Sequence, residues 1–184
     1  AVSVTERMTK RVHENTQLGE VLMQKTIEMM VSISPEIDES WERPEEGFQE
    51  KSEEEEGFEL DYAKVGRKLL TRLLDSVGDK YLLEPLLKLI YPCLNNTQDW
   101  RYPYAALMTL SEINQYISES SKIAEQVSIM EQGIASAHPK IRYATFHLIG
   151  QVCEDHIRDF QSAHKDRVVP LLQKGLNDSV PRVA

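Results

Sequence analysis

The residues of this 184-residue chain best equipped for chemistry are its carboxylates, five histidines and two cysteines. The carboxylates are unevenly placed. Thirteen acids lie between Glu36 and Asp61, opposed only by Arg43 and Lys51. That stretch carries −11 in a chain of net −9, so the remaining residues sum to +2. Its densest part is EEGFQEKSEEEEGFE at 45–59, interrupted by Gly47-Phe48 and Gly57-Phe58. Such a block repels phosphate and favours a basic partner. The same composition also suits a loop that simply stays solvated. It does not suit acid–base catalysis, which needs a buried and tuned pair of groups, and it lacks the spacing of an EF-hand.

The other reactive side chains form no recognisable constellation. His13, His138, His147, His156 and His164 show neither an HExxH pattern nor a cysteine pairing for zinc. Cys93 and Cys153 are isolated and read as reduced core residues. No GxxxxGK loop and no GxSxG elbow occurs. The expectation is a binding protein, not an enzyme, with no cofactor and no metal. A nearly neutral body offers no basic field for nucleic acid. No apolar run reaches the length of a membrane span.

The elements that must position these groups are helices. Outside the acidic stretch the apolar residues recur at helical spacing, and hairpin dipeptides such as Asn-Gly are absent. Five stripes are expected to face a core. They are Leu18, Leu22, Met29 and Ile33; then Leu83, Leu86, Leu87, Ile90 and Leu94; then Tyr102, Ala106, Leu110, Ile113 and Ile117. Ile123, Val127, Met130 and Ile134 form the fourth, and Ile141, Ala144, Leu148 and Val152 the fifth. Met23, Met29, Met30, Met108 and Met130 read as core. Asp99 is placed to accept an orphan N–H at the start of a helix. Pro103 and Pro139 fall in first turns, where a missing N–H costs least.

A repeat is visible in WRYPYA at 100, PKIRYA at 139 and PRVA at 181, offset by 39 and 42 residues. Each follows one amphipathic helix and opens another. The pattern around Pro139, Ile141, Arg142, Ala144 and Thr145 resembles the second helix of a HEAT repeat, a family of paired helices with a period near forty residues. One pair cannot bury its apolar face alone, so neighbours stack. The expected fold is therefore an all-α solenoid of HEAT repeats, antiparallel helix pairs stacked in a superhelix. The chain parses as a second helix at 1–15, a repeat at 18–76 with an acidic insertion at 34–59, repeats at 80–118 and 122–156, and a truncated repeat at 161–184. The family's Asp–Arg ladder maps onto Thr97, Ser136 and Asp178 for the acid, and Pro103 and Arg142 for the base. It reads as mostly missing.

Two longer segments carry a closer resemblance. DWRYPYAALMTLSEI is similar to a motif of the importin-β (karyopherin-β) nuclear import receptors, nearest their beta-3 branch, through Asp99, Trp100, Arg101, Tyr102, Ala105, Ala106, Leu107, Met108, Leu110 and Ser111. HPKIRYATFHLIGQVCEDH matches it through His138 to Ala144, then Gly150, Gln151 and Asp155. Upstream, Met29-Met30-Val31 followed by Asp38-Glu39-Ser40-Trp41 is similar too. The resemblance implies an internal slice of a longer solenoid, near the seventh to eleventh repeats, of a receptor that shuttles between cytoplasm and nucleus. It implies that inner second helices bind basic nuclear-localisation signals on cargo. It also implies that the acidic insertion engages the GTPase Ran, and that outer first helices can bind Phe-Gly nucleoporins.

On that frame Glu112, Gln115, Glu119, Gln151 and Asp155 are the cargo-binding candidates. Carboxylates and amides converging from neighbouring helices can satisfy the three donors of a lysine ammonium. Gln115 stands where relatives tend to carry Glu, and His147 where they tend to carry Asn. Asp38, Glu39, Glu53, Glu54, Glu55 and Glu56 are the candidates for Ran or another basic partner. The alternatives are a HEAT scaffold subunit of another complex and an acidic chaperone for histones or ribosomal proteins.

Overall fold

The computed structural model describes residues 4–33, 62–117 and 120–184, and the features below are those of these residues. They form eight α-helices: α1 (Val4–Glu14), α2 (Thr16–Val31), α3 (Tyr62–Val77), α4 (Asp79–Leu94), α5 (Arg101–Ile113), α6 (Ser120–Ile134), α7 (Pro139–Asp155) and α8 (Ile157–Gly175). A short 3₁₀ turn, Asn114–Tyr116, follows α5. The helices fall into two compact units, α1–α5 and α6–α8.

Local chemistry sets the boundaries. The Asn15 side chain accepts the Gln17 N–H at 3.1 Å and starts α2. Gly78 separates α3 from α4 with φ of 101°, a conformation open to glycine and strained for other residues. The Asp99 carboxylate accepts the Arg101 N–H at 3.0 Å, as expected for a capping acid. The helix it starts is shorter than the span 100–118 read from the sequence, because the chain tightens into the 3₁₀ turn at Asn114. Pro139 is in the first turn of α7, where proline costs no helical hydrogen bond. Residues 181–183 form only a turn.

In the first unit, α2 packs against α3, α4 and α5, while α1 covers α2 and α3. Met23, Ile27 and Met30 of α2 meet a core that includes Leu70, Leu74, Leu82, Leu86, Ile90 and Leu110. This corrects one expected stripe. Leu18, Leu22, Met29 and Ile33 are only half-buried. α2 carries apolar residues on two adjoining faces, and with neighbours on several sides the deepest face is the one holding Met23 and Met30. Tyr102 is likewise outside the core, 38% exposed. The rest of α5 is buried almost all round, from Ala105 to Ser111. Leu83, Leu94 and Ile141 are half-buried at the edges of their stripes.

In the second unit the expected stripe of α6 is wholly buried: Ile123, Val127, Met130 and Ile134. It packs on α7 and α8, against Ala144, Leu148, Val152, Phe160 and Val168. Fully burying each such large side chain contributes about 1.5–3 kcal/mol. The α6–α7 approach is close. A Cβ on Gly133 would lie 2.1 Å from Thr145 Oγ1. A side chain at that point of α6 would have to turn Thr145 or part the two helices.

Candidate binding surface

The polar residues of α5, in the first unit, and of α7, in the second, are two separate sets of candidates. Glu112, near the end of α5, projects toward α3. Arg67 of α3 donates to its Oε1 through Nε at 2.8 Å and also through Nη2. Both contacts fall on one oxygen. The side chains are 35% and 23% exposed, so the pair is partly shielded from water. Any ammonium reaching Glu112 thus meets a carboxylate already half engaged by a guanidinium. Gln115 is exposed on the 3₁₀ turn, past the end of α5.

On α7, Gln151 and Asp155 are brought together. They are four apart on one helix, hence neighbours on one face. The Gln151 Nε2 donates to both Asp155 oxygens at 3.2 Å. Both residues are half-buried. The bond turns the Gln151 carbonyl oxygen away from the carboxylate, since the amide nitrogen is the end that faces it. Gln151 thus orients the Asp155 carboxylate, whose remaining lone pairs are the acceptors an ammonium or guanidinium requires. Glu119 lies outside the described residues, as do Asp38, Glu39, Glu53, Glu54, Glu55 and Glu56.

Two features escaped the sequence reading. The first is a rung between repeats. Arg142 at the start of α7 donates to Asp178, through Nε to Oδ2 at 2.6 Å and Nη2 to Oδ1 at 2.8 Å. Its Nη1 also reaches the Ser136 and Ala137 carbonyls, each at 3.0 Å, and closes the α6–α7 turn. The Arg142 guanidinium holds the Asp178 carboxyl below the usual carboxylate range, and Asp178 raises the Arg142 pKa in return. Both positions were recognisable as ladder sites, but their mutual pairing was not. The second feature is cationic. Lys64, Arg67, Lys68 and Arg72 of α3 line a groove of about 490 Å³, together with Thr71 and with Glu112 of α5. The spacing i, i+3, i+4, i+8 was available as a signal, since it places all four on one helix face.

Other perturbed groups serve local structure. Tyr116 donates to Asp75 Oδ1 at 2.6 Å, and burial together with that carboxylate pushes its phenol up to about 12. Burial raises both cysteine thiols, which removes them as nucleophiles near neutrality. Among the described residues no group of three or more His, Cys, Asp or Glu could hold a metal ion. No described helix is long and apolar enough to cross a membrane.

No family model matches the chain. Importin subunit beta-3 of Saccharomyces cerevisiae is 28% identical over 185 residues, covering 97% of this chain. The chain is homologous to importin subunit beta-3. It spans 16% of that relative's length. Crystal structures of the karyopherin Kap121p, one bound to the extreme C-terminus of the protein phosphatase Cdc14p and another bound to Pho4p, each match with a TM-score of 0.78 at 25% identity. Each match covers 95% of this chain and 17% of Kap121p. The importin-β resemblance read from Asp99–Ser111 and His138–Asp155 is thereby confirmed, and the fold is of the karyopherin HEAT-repeat class.

Proposed function

We propose that this chain is a cargo-binding segment of a nuclear transport receptor, one that shuttles between cytoplasm and nucleus. The observation that carries the reading is the end-to-end likeness to Kap121p, a karyopherin seen bound to Pho4p and to a Cdc14p terminus. The ligand is a Lys/Arg-rich localisation signal. On α7 the Asp155 carboxylate oriented by Gln151 is the proposed acceptor, and Glu112 of α5, Gln115 on the turn after it and Glu119 are separate candidates. A cation held by a carboxylate recovers hydrogen bonds it leaves behind in water.

Release is assigned to Ran-GTP. The acidic segment, with Asp38, Glu39 and Glu53–Glu56, supplies the charge a basic face of Ran or of another partner needs. Phe-Gly nucleoporins would use the outer helices. The supporting experiment captures a Lys/Arg-rich peptide on the immobilised chain and challenges it with Ran in each nucleotide state. Release by Ran-GTP and not by Ran-GDP is expected. Equal retention in both states would remove Ran from the reading, and failure to capture the peptide would remove basic cargo.

A further inference from the structure

Glu112 is held from within the chain. Arg67 of α3 donates to its Oε1 through Nε at 2.8 Å, and through Nη2 as well. The other carboxylate oxygen, Oε2, accepts no hydrogen bond among the described residues. The side chains are 35% and 23% exposed, so water screens this pair less than a fully exposed one. A guanidinium on a carboxylate is also the contact that an arginine of a basic ligand would make here. Arg67 stands where that ligand's side chain would stand.

The backbone beneath Arg67 is fixed independently of the ion pair. Its neighbour Gly66 is buried against α2, where a Cβ would lie 2.8 Å from Met30 Cγ and 3.1 Å from the Thr26 carbonyl oxygen. Leu70 and Leu74 of the same helix are in the core. About two turns beyond Arg67, Asp75 accepts the hydroxyl of Tyr116, from the turn after α5, at 2.6 Å. α3 is thus tied to α5 and its turn at a second point. Arg67 therefore meets Glu112 without losing translational or rotational freedom, whereas a separate ligand must lose both.

The geometry also bears on which cation can take its place. Arginine gains over lysine when its parallel N–H groups reach both oxygens of one carboxylate. Arg67 directs both of its donors to Oε1 and leaves Oε2 open. An incoming guanidinium finds a single acceptor, no more than an ammonium can use. The charge on Arg67 opposes either one.

We infer that Arg67 is an autoinhibitory occupant of Glu112, which withholds that carboxylate from basic ligands and cancels the advantage of arginine over lysine there. The inference rests on the reading of this chain as a binder of basic signals. It adds that Glu112 joins such a site only when Arg67 is displaced.

The test is a fluorescence-anisotropy titration of two labelled peptides, one rich in arginine and one with each arginine replaced by lysine. Both are titrated against the chain and its Arg67→Met variant, and the comparison is repeated with Glu112→Gln in each. Removing Arg67 should tighten binding of the arginine peptide about tenfold, as one charge-assisted hydrogen bond would. The lysine peptide should gain about threefold, since it makes no two-pronged contact. With Glu112→Gln in place, removing Arg67 should change neither affinity by more than about twofold. Circular dichroism reports whether the fold is kept. If Arg67→Met loses it, Arg67→Gln takes its place, with the same order of effects expected. Equal affinity with and without Arg67, a gain that persists beside Glu112→Gln, or the same gain for both peptides would each overturn the inference. A chain that binds neither peptide until Arg67 is removed would uphold the inference and count against basic cargo for the native chain. A chain that binds both and gains nothing without Arg67 would overturn the inference alone. No binding by any variant would overturn both.

Discussion

Arg142 and Asp178, 36 residues apart in sequence, are joined by a two-pronged ion pair with contacts of 2.6 and 2.8 Å. The side chains are only 14% and 9% exposed. The same guanidinium ties the α6–α7 turn through the Ser136 and Ala137 carbonyls. One side chain thus fixes the opening of α7 against both the turn before it and the turn after α8. In a solenoid, where each pair contacts only its neighbours, such a link sets the register between successive units.

Removing one partner leaves the other buried and uncompensated. Arg142→Met should destabilise the second unit by about 3 kcal/mol, read as a lower urea midpoint. Asp178→Asn should cost less, because the amide still accepts one N–H. A double mutant that costs about as much as Arg142→Met alone would show that the pair acts as a unit.

The pair also predicts a pH dependence. Asp178 is held below its ordinary value by Arg142 and by the Val180 N–H. A depressed folded pKa contributes stability that is fully present above the unfolded value, near 4. The contribution is lost as pH falls through the lower folded value. Thermal melts between pH 6 and pH 2 should show that loss, and Asp178→Asn should flatten it. A profile identical in both proteins would mean that Asp178 carries none of the acid sensitivity.

Gly133→Ala puts a methyl where Thr145 Oγ1 already lies, 2.1 Å away. Helix backbones must separate or Thr145 must turn, and the expected cost is about 1–3 kcal/mol. Thr145 is fully buried, and its hydroxyl donates to the Ile141 carbonyl at 2.8 Å. Adding Thr145→Ala should recover part of the loss, measured as the melting temperature of the double mutant against each single one.

How much of this was legible beforehand depends on how local each feature is. The α6 stripe was read correctly because Ile123 to Ile134 form one apolar face with polar residues between. The α2 stripe was placed on the wrong face. There Leu18, Leu22, Met29 and Ile33 compete with Met23, Ile27 and Met30, and only packing decides which is deepest. Gln151 and Asp155 could be paired from their spacing of four. Arg67 and Glu112 could not, since nothing along the chain announces that α3 and α5 touch. Arg142 and Asp178 were each recognisable as ladder positions, yet their bond exists only once α8 has brought Asp178 back beside α7. The acidic segment was conspicuous in sequence but lies outside the described residues, and the cationic lining of the α3 groove emerged only with Glu112 of α5 beside it.

The most direct test of the central claim is an equilibrium titration of a labelled Lys/Arg-rich signal peptide against the chain and its Asp155→Asn variant, followed by fluorescence anisotropy. Asparagine keeps the size of the side chain and removes the charge that Gln151 orients. A charge-assisted hydrogen bond is worth about 1.5–3 kcal/mol. The account therefore predicts a loss of roughly ten- to a hundredfold in affinity, with the helical signal unchanged. Equal affinity for the two proteins would contradict it.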